Sequence, residues 1–109
     1  MSHALRTHVL PSLLLLASVP VFAATPPKPA KLGLCVSCHG VDGRSRTPGT
    51  PHLGGQDRVY LERALADYRS GKRQHVPMTS IANTLQPRDI QAFAAWYAAQ
   101  PGFAQGTSP

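Results

Sequence analysis

The chain has 109 residues, with 11 lysines and arginines against 5 aspartates and glutamates, which gives a formal net charge of +6. A chain of this length forms one domain at most. The basic residues are scattered, and no basic stripe interleaved with aromatic residues is present, so nucleic acid is not expected as a partner. A basic surface instead favours acidic protein partners or an anionic membrane surface.

The first 23 residues have the three-part pattern of a secretory signal. Arg6 provides a positive n-region, residues 13–19 form a short apolar core, and residues 21–23 are small or apolar, as before a cleavage site. A membrane anchor is the alternative, but two prolines interrupt the apolar run, which falls short of the roughly 20 residues that a span requires. We therefore predict cleavage after Ala23, export to the periplasm and no membrane span in the mature chain.

The next two predicted elements precede a long loop. Residues 24–30 are rich in proline and form an extended leader. A short helix is predicted over residues 30–38. Glycines and prolines between positions 40 and 51 then indicate an irregular loop.

The second half of the chain predicts further helices and no strand. Apolar residues at helical spacing predict a helix over residues 58–70, capped by Asp57 and closed by Gly71. Residues 72–78 are predicted as a loop, and residues 79–83 as one or two helical turns. The last helix starts at Pro87, with Asp89 in its first turn and an apolar stripe at positions 90, 93, 94 and 97. It is expected to stop at residues 101–102, before a loose tail over 103–109.

The most specific motif is the run Cys-Val-Ser-Cys-His at residues 35–39. C-x-x-C-H is the attachment signature of a c-type haem, in which each thiol adds to a haem vinyl group and the histidine ligates the iron. A disulfide between Cys35 and Cys38 would close a very small loop and stabilise little. A thioredoxin-like redox pair would need a βαβ pattern, which is absent. We therefore predict one covalent haem c, around which the long loops of a small chain can pack.

Taken in order, several landmarks resemble class I cytochrome c, and most closely one haem domain of the small bacterial cytochromes, including the two-haem kind. They are residues 35–40, 51–56, 60–61, 68–73, 77–78 and 85–97. The resemblance implies an all-α cytochrome c fold over residues 31–102, with three main helices and long loops around one covalently bound haem.

The resemblance also implies that His39 is the proximal ligand of the iron and Met78 the distal one. Independently, Met78 is the only methionine that remains after the signal is removed, and it follows Pro77 in a predicted loop. A thioether opposite an imidazole favours ferrous iron and raises the reduction potential. His52 and His75 are rivals for the distal position, and would lower the potential if one of them bound the iron.

Further residues are expected around the haem. The resemblance implies that the Pro51 carbonyl accepts a hydrogen bond from the proximal imidazole, which would fix the ring. Leu53 would pack on the haem face, Tyr60 or Tyr68 would wall the pocket, and Arg73 would approach a propionate or lie in a solvated loop. Two details stay open. Gly33 would allow a close helix crossing against the last helix, and Trp96 would pack at the haem edge or lie on the surface.

These residues predict a periplasmic protein that carries single electrons and is not itself an enzyme. Its expected partners are redox proteins with acidic docking surfaces, and no small-molecule substrate is expected. A haem subunit fixed to a catalytic oxidoreductase is one alternative. A gas-binding haem protein is another, but it needs an open sixth position on the iron, against which Met78 argues.

Overall fold

The computed structural model describes residue 1 and residues 17–102, so most of the predicted signal and the predicted tail at 103–109 lie outside the described residues. The described part contains four helices and no strand, in agreement with the predicted all-α class. The helices are α1 (Gly33–His39), α2 (Arg58–Ser70), α3 (Val76–Asn83) and α4 (Pro87–Ala98). Within the described residues, none of these helices has the length and apolar character needed to cross a membrane.

Helix α2 has the predicted bounds because both of its ends are chemically specified. The Asp57 side chain accepts a hydrogen bond from the Tyr60 backbone N–H at 2.7 Å and satisfies one of the unpaired donors of the first turn. Gly71 ends the helix in the left-handed region, with φ +80°. Leu61 is buried, so its face of the helix packs against the core.

Helix α3 begins three residues before the predicted start, so the prediction of a loop over residues 72–78 was wrong at its C-terminal end. His75 is extended, and its backbone N–H donates to the Thr79 Oγ1 at 3.1 Å, while its carbonyl accepts from the Thr79 N–H at 2.8 Å. Pro77 lies in the first turn, where a helix needs no backbone donor. Met78 is therefore held on the first turn of a helix and not in a loop.

The start of α4 is tied to the segment before α1. The Asp89 carboxylate accepts from the Gln86 backbone N–H at 2.9 Å as part of a capping box, and Lys31 Nζ donates to the same oxygen at 2.7 Å. Hydrogen bonding to Lys31 and to the Gln86 backbone lowers the pKa of Asp89. The helix starts at Pro87 as predicted, and ends at Ala98, three residues before the predicted stop.

The core is one cluster of apolar side chains that joins α2, α4 and the residue before α1. Its members are Leu32, Leu61, Leu85, Ile90, Phe93, Ala94 and Tyr97. The predicted stripe of α4 is therefore confirmed as the core face. The expectation for Gly33 was wrong, because a Cβ on Gly33 would meet nothing within 4 Å. Leu32, only 1% exposed, makes the apolar contact in its place.

The long loop between α1 and α2 is folded back on itself by close backbone contacts. The Gly43 carbonyl accepts from the backbone N–H groups of Leu53 at 2.8 Å and Gly54 at 3.2 Å. Gly43 has φ +75°, and a Cβ there would lie 2.2 Å from the Gly54 nitrogen, so the approach needs glycine. The Gly55 N–H donates to the Tyr97 carbonyl at 3.0 Å and fastens the loop to the end of α4.

Candidate functional site

One cavity of about 440 Å³ collects side chains from all four helices and from the loop around position 52. All eight site residues predicted from the sequence line it: Cys35, Cys38, His39, Pro51, Leu53, Tyr60, Arg73 and Met78. Its walls are otherwise mainly apolar and include Leu61, Leu65, Ile81, Phe93 and Ala94. The core cluster thus leaves room beside it for a large apolar group.

The two cysteines lie on α1 and open onto the cavity from the same helix. Cys35 is half-buried and Cys38 is exposed, and both are free thiols in the structure. Burial raises the pKa of Cys35 to about 11, so this thiol is neutral at pH 7. A redox-active pair needs the opposite shift, towards the thiolate. The shift of Cys35 is therefore the opposite of the one that a reactive thiol needs.

His39 is held in one orientation by the loop. It is 6% exposed, and its Nδ1 lies 2.9 Å from the Pro51 carbonyl oxygen. Because a carbonyl can only accept a hydrogen bond, Nδ1 carries the proton, and in the neutral ring the lone pair is on Nε2. A neutral imidazole fixed in this way is the form that binds a metal.

Two aromatic side chains of α4 hold the backbone that follows His39. The Tyr97 hydroxyl donates to the Gly40 carbonyl at 2.9 Å, and Trp96 Nε1 donates to the Val41 carbonyl at 2.8 Å. Burial raises the pKa of Tyr97, which keeps the hydroxyl protonated as a donor. Trp96 is half-buried and is not among the residues that line the cavity. Sequence reasoning missed these two contacts, since their acceptors are backbone atoms 57 and 55 residues away.

Three candidates for the distal ligand line the cavity, and their surroundings differ. Met78 is half-buried on the first turn of α3. His52 Nδ1 accepts a hydrogen bond from the Ser45 backbone N–H at 2.9 Å, so the neutral ring carries its proton on Nε2 and has no lone pair there for a metal. His75 is exposed and stands at the N-cap position of α3 without a side-chain capping bond. The geometry favours Met78 over His52 and leaves His75 as the nearer rival, three residues before it.

At the rim of the cavity, the positively charged side chain of Arg73 contacts two tyrosines. Arg73 Cζ lies 4.7 Å from the centroid of the Tyr68 ring. A side-chain hydrogen bond with Tyr60 raises the pKa of Arg73, which therefore stays fully charged. Arg73, Tyr60 and Tyr68 all line the cavity, so the cation faces the same space as the cysteines.

The residues of the cavity fit a covalently attached haem. The two thiols lie on one helix, the available imidazole nitrogen belongs to the adjacent residue, and a thioether comes from a different helix. Apolar walls suit the macrocycle, and a guanidinium at the rim suits its carboxylates. Cys35 and Cys38 would form the thioether links, while His39 and Met78 would bind the iron.

Comparisons with known proteins agree with this chemistry. The sequence model of the cytochrome c family matches residues 30–100. Cytochrome c-554(548) of Halomonas halodenitrificans is 42% identical over 73 residues, which cover 64% of this chain and 88% of that protein. A protein of Stutzerimonas stutzeri named thiosulfate dehydrogenase electron acceptor is 38% identical over 68 residues, which cover 62% of this chain and 32% of that protein.

A solved structure gives the same result for the fold. Reduced recombinant cytochrome c4 from Pseudomonas stutzeri superposes with a TM-score of 0.58 and 30% sequence identity, over 62% of this chain and 38% of the other. The chain therefore spans most of the first relative, but only about a third of the other two proteins.

Proposed function

Since this chain belongs to the cytochrome c family and transfers electrons through a covalent c-type haem, we propose that it is a periplasmic carrier of single electrons whose iron is bound by His39 and Met78. One observation carries the proposal. The two attachment cysteines, the fixed imidazole and the thioether line a single cavity with apolar walls. In the proposed arrangement His39 and Met78 would occupy both axial positions of the iron, which would leave none open for a substrate.

When bound, the haem supplies an iron that alternates between the ferric and ferrous states. The protein holds the ligands so that their geometry changes little between these two states. The hydrogen bond from His39 Nδ1 to the Pro51 carbonyl fixes the imidazole plane and raises the basicity of Nε2. The first turn of α3 presents the Met78 sulfur, and a thioether at that position favours the ferrous state and a higher potential.

Substitution of the thioether tests the ligation. Met78→Ala should abolish the weak far-red absorption band of ferric His/Met haem and lower the reduction potential. His75→Asn and His52→Asn are matched controls, since both histidines line the same cavity, and both variants should keep the band and the potential. If Met78→Ala keeps the band while His75→Asn changes the spectrum, His75 and not Met78 is the ligand.

The periplasmic location is a proposal that rests on the secretory pattern of residues 1–23 and on the family match that begins at residue 30. Cell fractionation should recover the haem protein from the periplasm. Its N-terminal sequence should start at Ala24, with residues 24–30 as a leader and residues 31–102 as the haem domain. Recovery from the cytoplasm with Met1 retained would contradict the proposal.

Partner proteins are proposed to dock at the open side of the cavity. Leu34 and Tyr60 line the cavity and are 44% and 50% exposed, and the formal charge of the chain is strongly positive. An acidic surface on the partner would speed the encounter, and its rate of electron transfer should fall as salt is raised. A rate that is independent of ionic strength would argue against electrostatic docking.

A fixed subunit of an oxidoreductase is the second candidate. The relative named thiosulfate dehydrogenase electron acceptor favours this reading, because that name assigns its protein to one enzyme. Size-exclusion chromatography of gently prepared periplasm distinguishes a free carrier from a fixed subunit. A free carrier elutes at its own mass, whereas a subunit co-elutes with a larger catalytic protein.

A further inference from the structure

The residue that follows Pro51 closes part of the long loop through its side chain. His52 Nδ1 accepts a hydrogen bond from the Ser45 backbone N–H at 2.9 Å, although the two residues are seven positions apart. Between them, the Thr50 N–H donates to the Thr47 carbonyl at 3.1 Å. This stretch of the loop is therefore a closed turn, and a histidine side chain completes it.

Ser45 also joins this turn to the end of α1. Its Oγ donates to the Cys38 carbonyl at 2.9 Å, while the Thr47 carbonyl, at 3.1 Å, is the longer of the two acceptors available to this hydroxyl proton. The Cys38 carbonyl belongs to the last turn of α1, where carbonyl groups have no partner within the helix. Ser45 supplies that partner at the peptide bond that links Cys38 to His39.

The same turn contacts His39 from two directions. On the backbone side, Ser45 holds the peptide bond that precedes His39. On the ring side, the Pro51 carbonyl oxygen lies 2.9 Å from His39 Nδ1. The bond between Ser45 and His52 fixes the separation of these two contacts, because His52 is adjacent to Pro51 in the chain. The closed turn therefore positions both the backbone and the ring of His39.

The base of the loop is held separately from this turn. The Gly43 carbonyl accepts from the backbone N–H groups of Leu53 and Gly54, and neither bond involves a side chain. These bonds remain when His52 is replaced, so the loop should still fold. The loss should be confined to the link with Ser45, which makes the effect of His52 on position separable from its effect on stability.

We propose that His52 is a positioning residue for the proximal ligand: by accepting from the Ser45 N–H, it holds the Pro51 carbonyl against His39 Nδ1 and so adjusts the reduction potential. The hydrogen bond at Nδ1 raises the basicity of the ligating nitrogen. A weaker bond makes the imidazole a weaker donor, which favours ferrous iron and raises the potential. The inference rests on the proposed ligation of the iron by His39 and does not depend on Met78.

Two substitutions of His52 separate its acceptor from the rest of its ring. His52→Leu removes the acceptor, whereas His52→Asn keeps one, because the amide oxygen of asparagine stands close to the position of the imidazole Nδ1. The reduction potential of the intact holoprotein is measured at about pH 8, where histidine is ordinarily neutral. His52→Leu should raise the potential, and His52→Asn should leave it unchanged.

Nuclear magnetic resonance of the ferrous holoprotein gives a second readout at the ring itself. The proton on His39 Nδ1 should exchange with solvent roughly fivefold faster in His52→Leu, the factor expected when a hydrogen bond of ordinary net strength is weakened. In His52→Asn the exchange rate should stay close to that of the unmodified protein. A purely structural role for His52 would lower the free energy of unfolding and move neither the potential nor this exchange rate.

Ser45→Ala tests the same turn from its other end, and keeps the proposal testable if His52→Leu does not mature. It removes the donor to the Cys38 carbonyl and should also raise the potential. Because both substitutions act through one turn, the double variant should shift the potential by less than the sum of the single shifts. Thr47→Val is the matched control, since Thr47 bonds to Ser45 through its backbone, and should leave both readouts unchanged.

Unchanged potentials and exchange rates in His52→Leu and Ser45→Ala would overturn the proposal. A shift in His52→Asn as large as that in His52→Leu would also overturn it, because the acceptor would then not be the feature that matters. So would carbon monoxide binding by His52→Leu when the unmodified protein binds none, since His52 would then be the distal ligand. A missing far-red band in the unmodified protein contradicts Met78 ligation alone and leaves both readouts at His39 in place.

Discussion

Replacement of Gly43 by alanine is expected to loosen the loop that presents Pro51 to His39. Gly43 combines two demands: its φ of +75° lies in the left-handed region, and a Cβ would lie 2.2 Å from the Gly54 nitrogen and 2.7 Å from the Gly54 Cα. Both of these atoms belong to backbone, which cannot swing aside as a flexible side chain can. The loop would have to open at this point.

Gly49 is the matched control, because it has the left-handed φ without the close backbone contact. It has nearly the same φ, +78°, but a Cβ there would meet nothing within 4 Å. The left-handed conformation costs alanine about 1–2 kcal/mol, offset by about 0.4–1 kcal/mol from the stiffer unfolded chain, so Gly49→Ala should cost about 1 kcal/mol. Displacing packed atoms adds about 1–3 kcal/mol, so Gly43→Ala should cost about 2–4 kcal/mol.

Guanidinium-induced unfolding of the ferric holoprotein, followed by far-ultraviolet circular dichroism, measures both costs. Gly43→Ala should also shift the reduction potential, since the Gly43 carbonyl accepts from Leu53 and Gly54, just after Pro51. Gly49→Ala should not shift it. Equal destabilisation by the two variants, with unchanged potentials, would refute the close approach of the two backbone segments.

Three further changes test the contacts around α4. Tyr97→Phe should destabilise the protein by about 1–2 kcal/mol in the same unfolding assay, because the Gly40 carbonyl loses a donor that is 2% exposed. Leu32→Ala should cost about 2–4 kcal/mol, because this fully buried side chain leaves a cavity in the core. The pKa of Asp89 is lowered in the folded state by Lys31, so its contribution to stability is present above its ordinary pKa near 3.8 and lost as the pH falls through the lowered value. Lys31→Gln should reduce the loss of unfolding free energy at acid pH, as measured by urea titrations at a series of pH values.

Each of these predictions has a matched control. Tyr60→Phe removes a hydroxyl from a half-exposed tyrosine and should change stability by less than about 0.5 kcal/mol. Leu34→Ala truncates an exposed leucine close to Leu32 and should cost less than about 1 kcal/mol. Arg88→Gln removes a cation next to Asp89 that is not its ion-pair partner, and should leave most of the acid loss in place. Controls that equal their test variants would contradict the contacts assigned to them.

Local chemistry made parts of this fold predictable. The bounds of α2 follow from Asp57 and Gly71, each of which acts within a few residues of the helix end. The start of α3 was missed because its cap is unusual. His75 supplies no side-chain cap, and the bond that stabilises this end runs from its backbone N–H to the hydroxyl of Thr79. Such a bond depends on geometry that a sequence pattern does not reveal.

The site was predictable to the extent that its residues have characteristic chemistry. The cysteine and histidine spacing specifies attachment, and the single methionine that follows the predicted signal specifies a candidate for the other axial position. The contacts that support the site could not be predicted from the sequence in the same way. Trp96 and Tyr97 act on backbone carbonyls far away in sequence, and Leu32 replaced Gly33 because the packing depends on how α1 meets the core.

The most direct test of the central claim is the visible spectrum of the purified ferrous protein with and without carbon monoxide. Haem attached through Cys35 and Cys38, and bound by His39 and Met78, has no open position, so the spectrum should not change when the gas is added. The haem should also stay with the protein in acidified acetone. A carbon monoxide complex of the unmodified protein, or haem extracted into the solvent, would contradict the account.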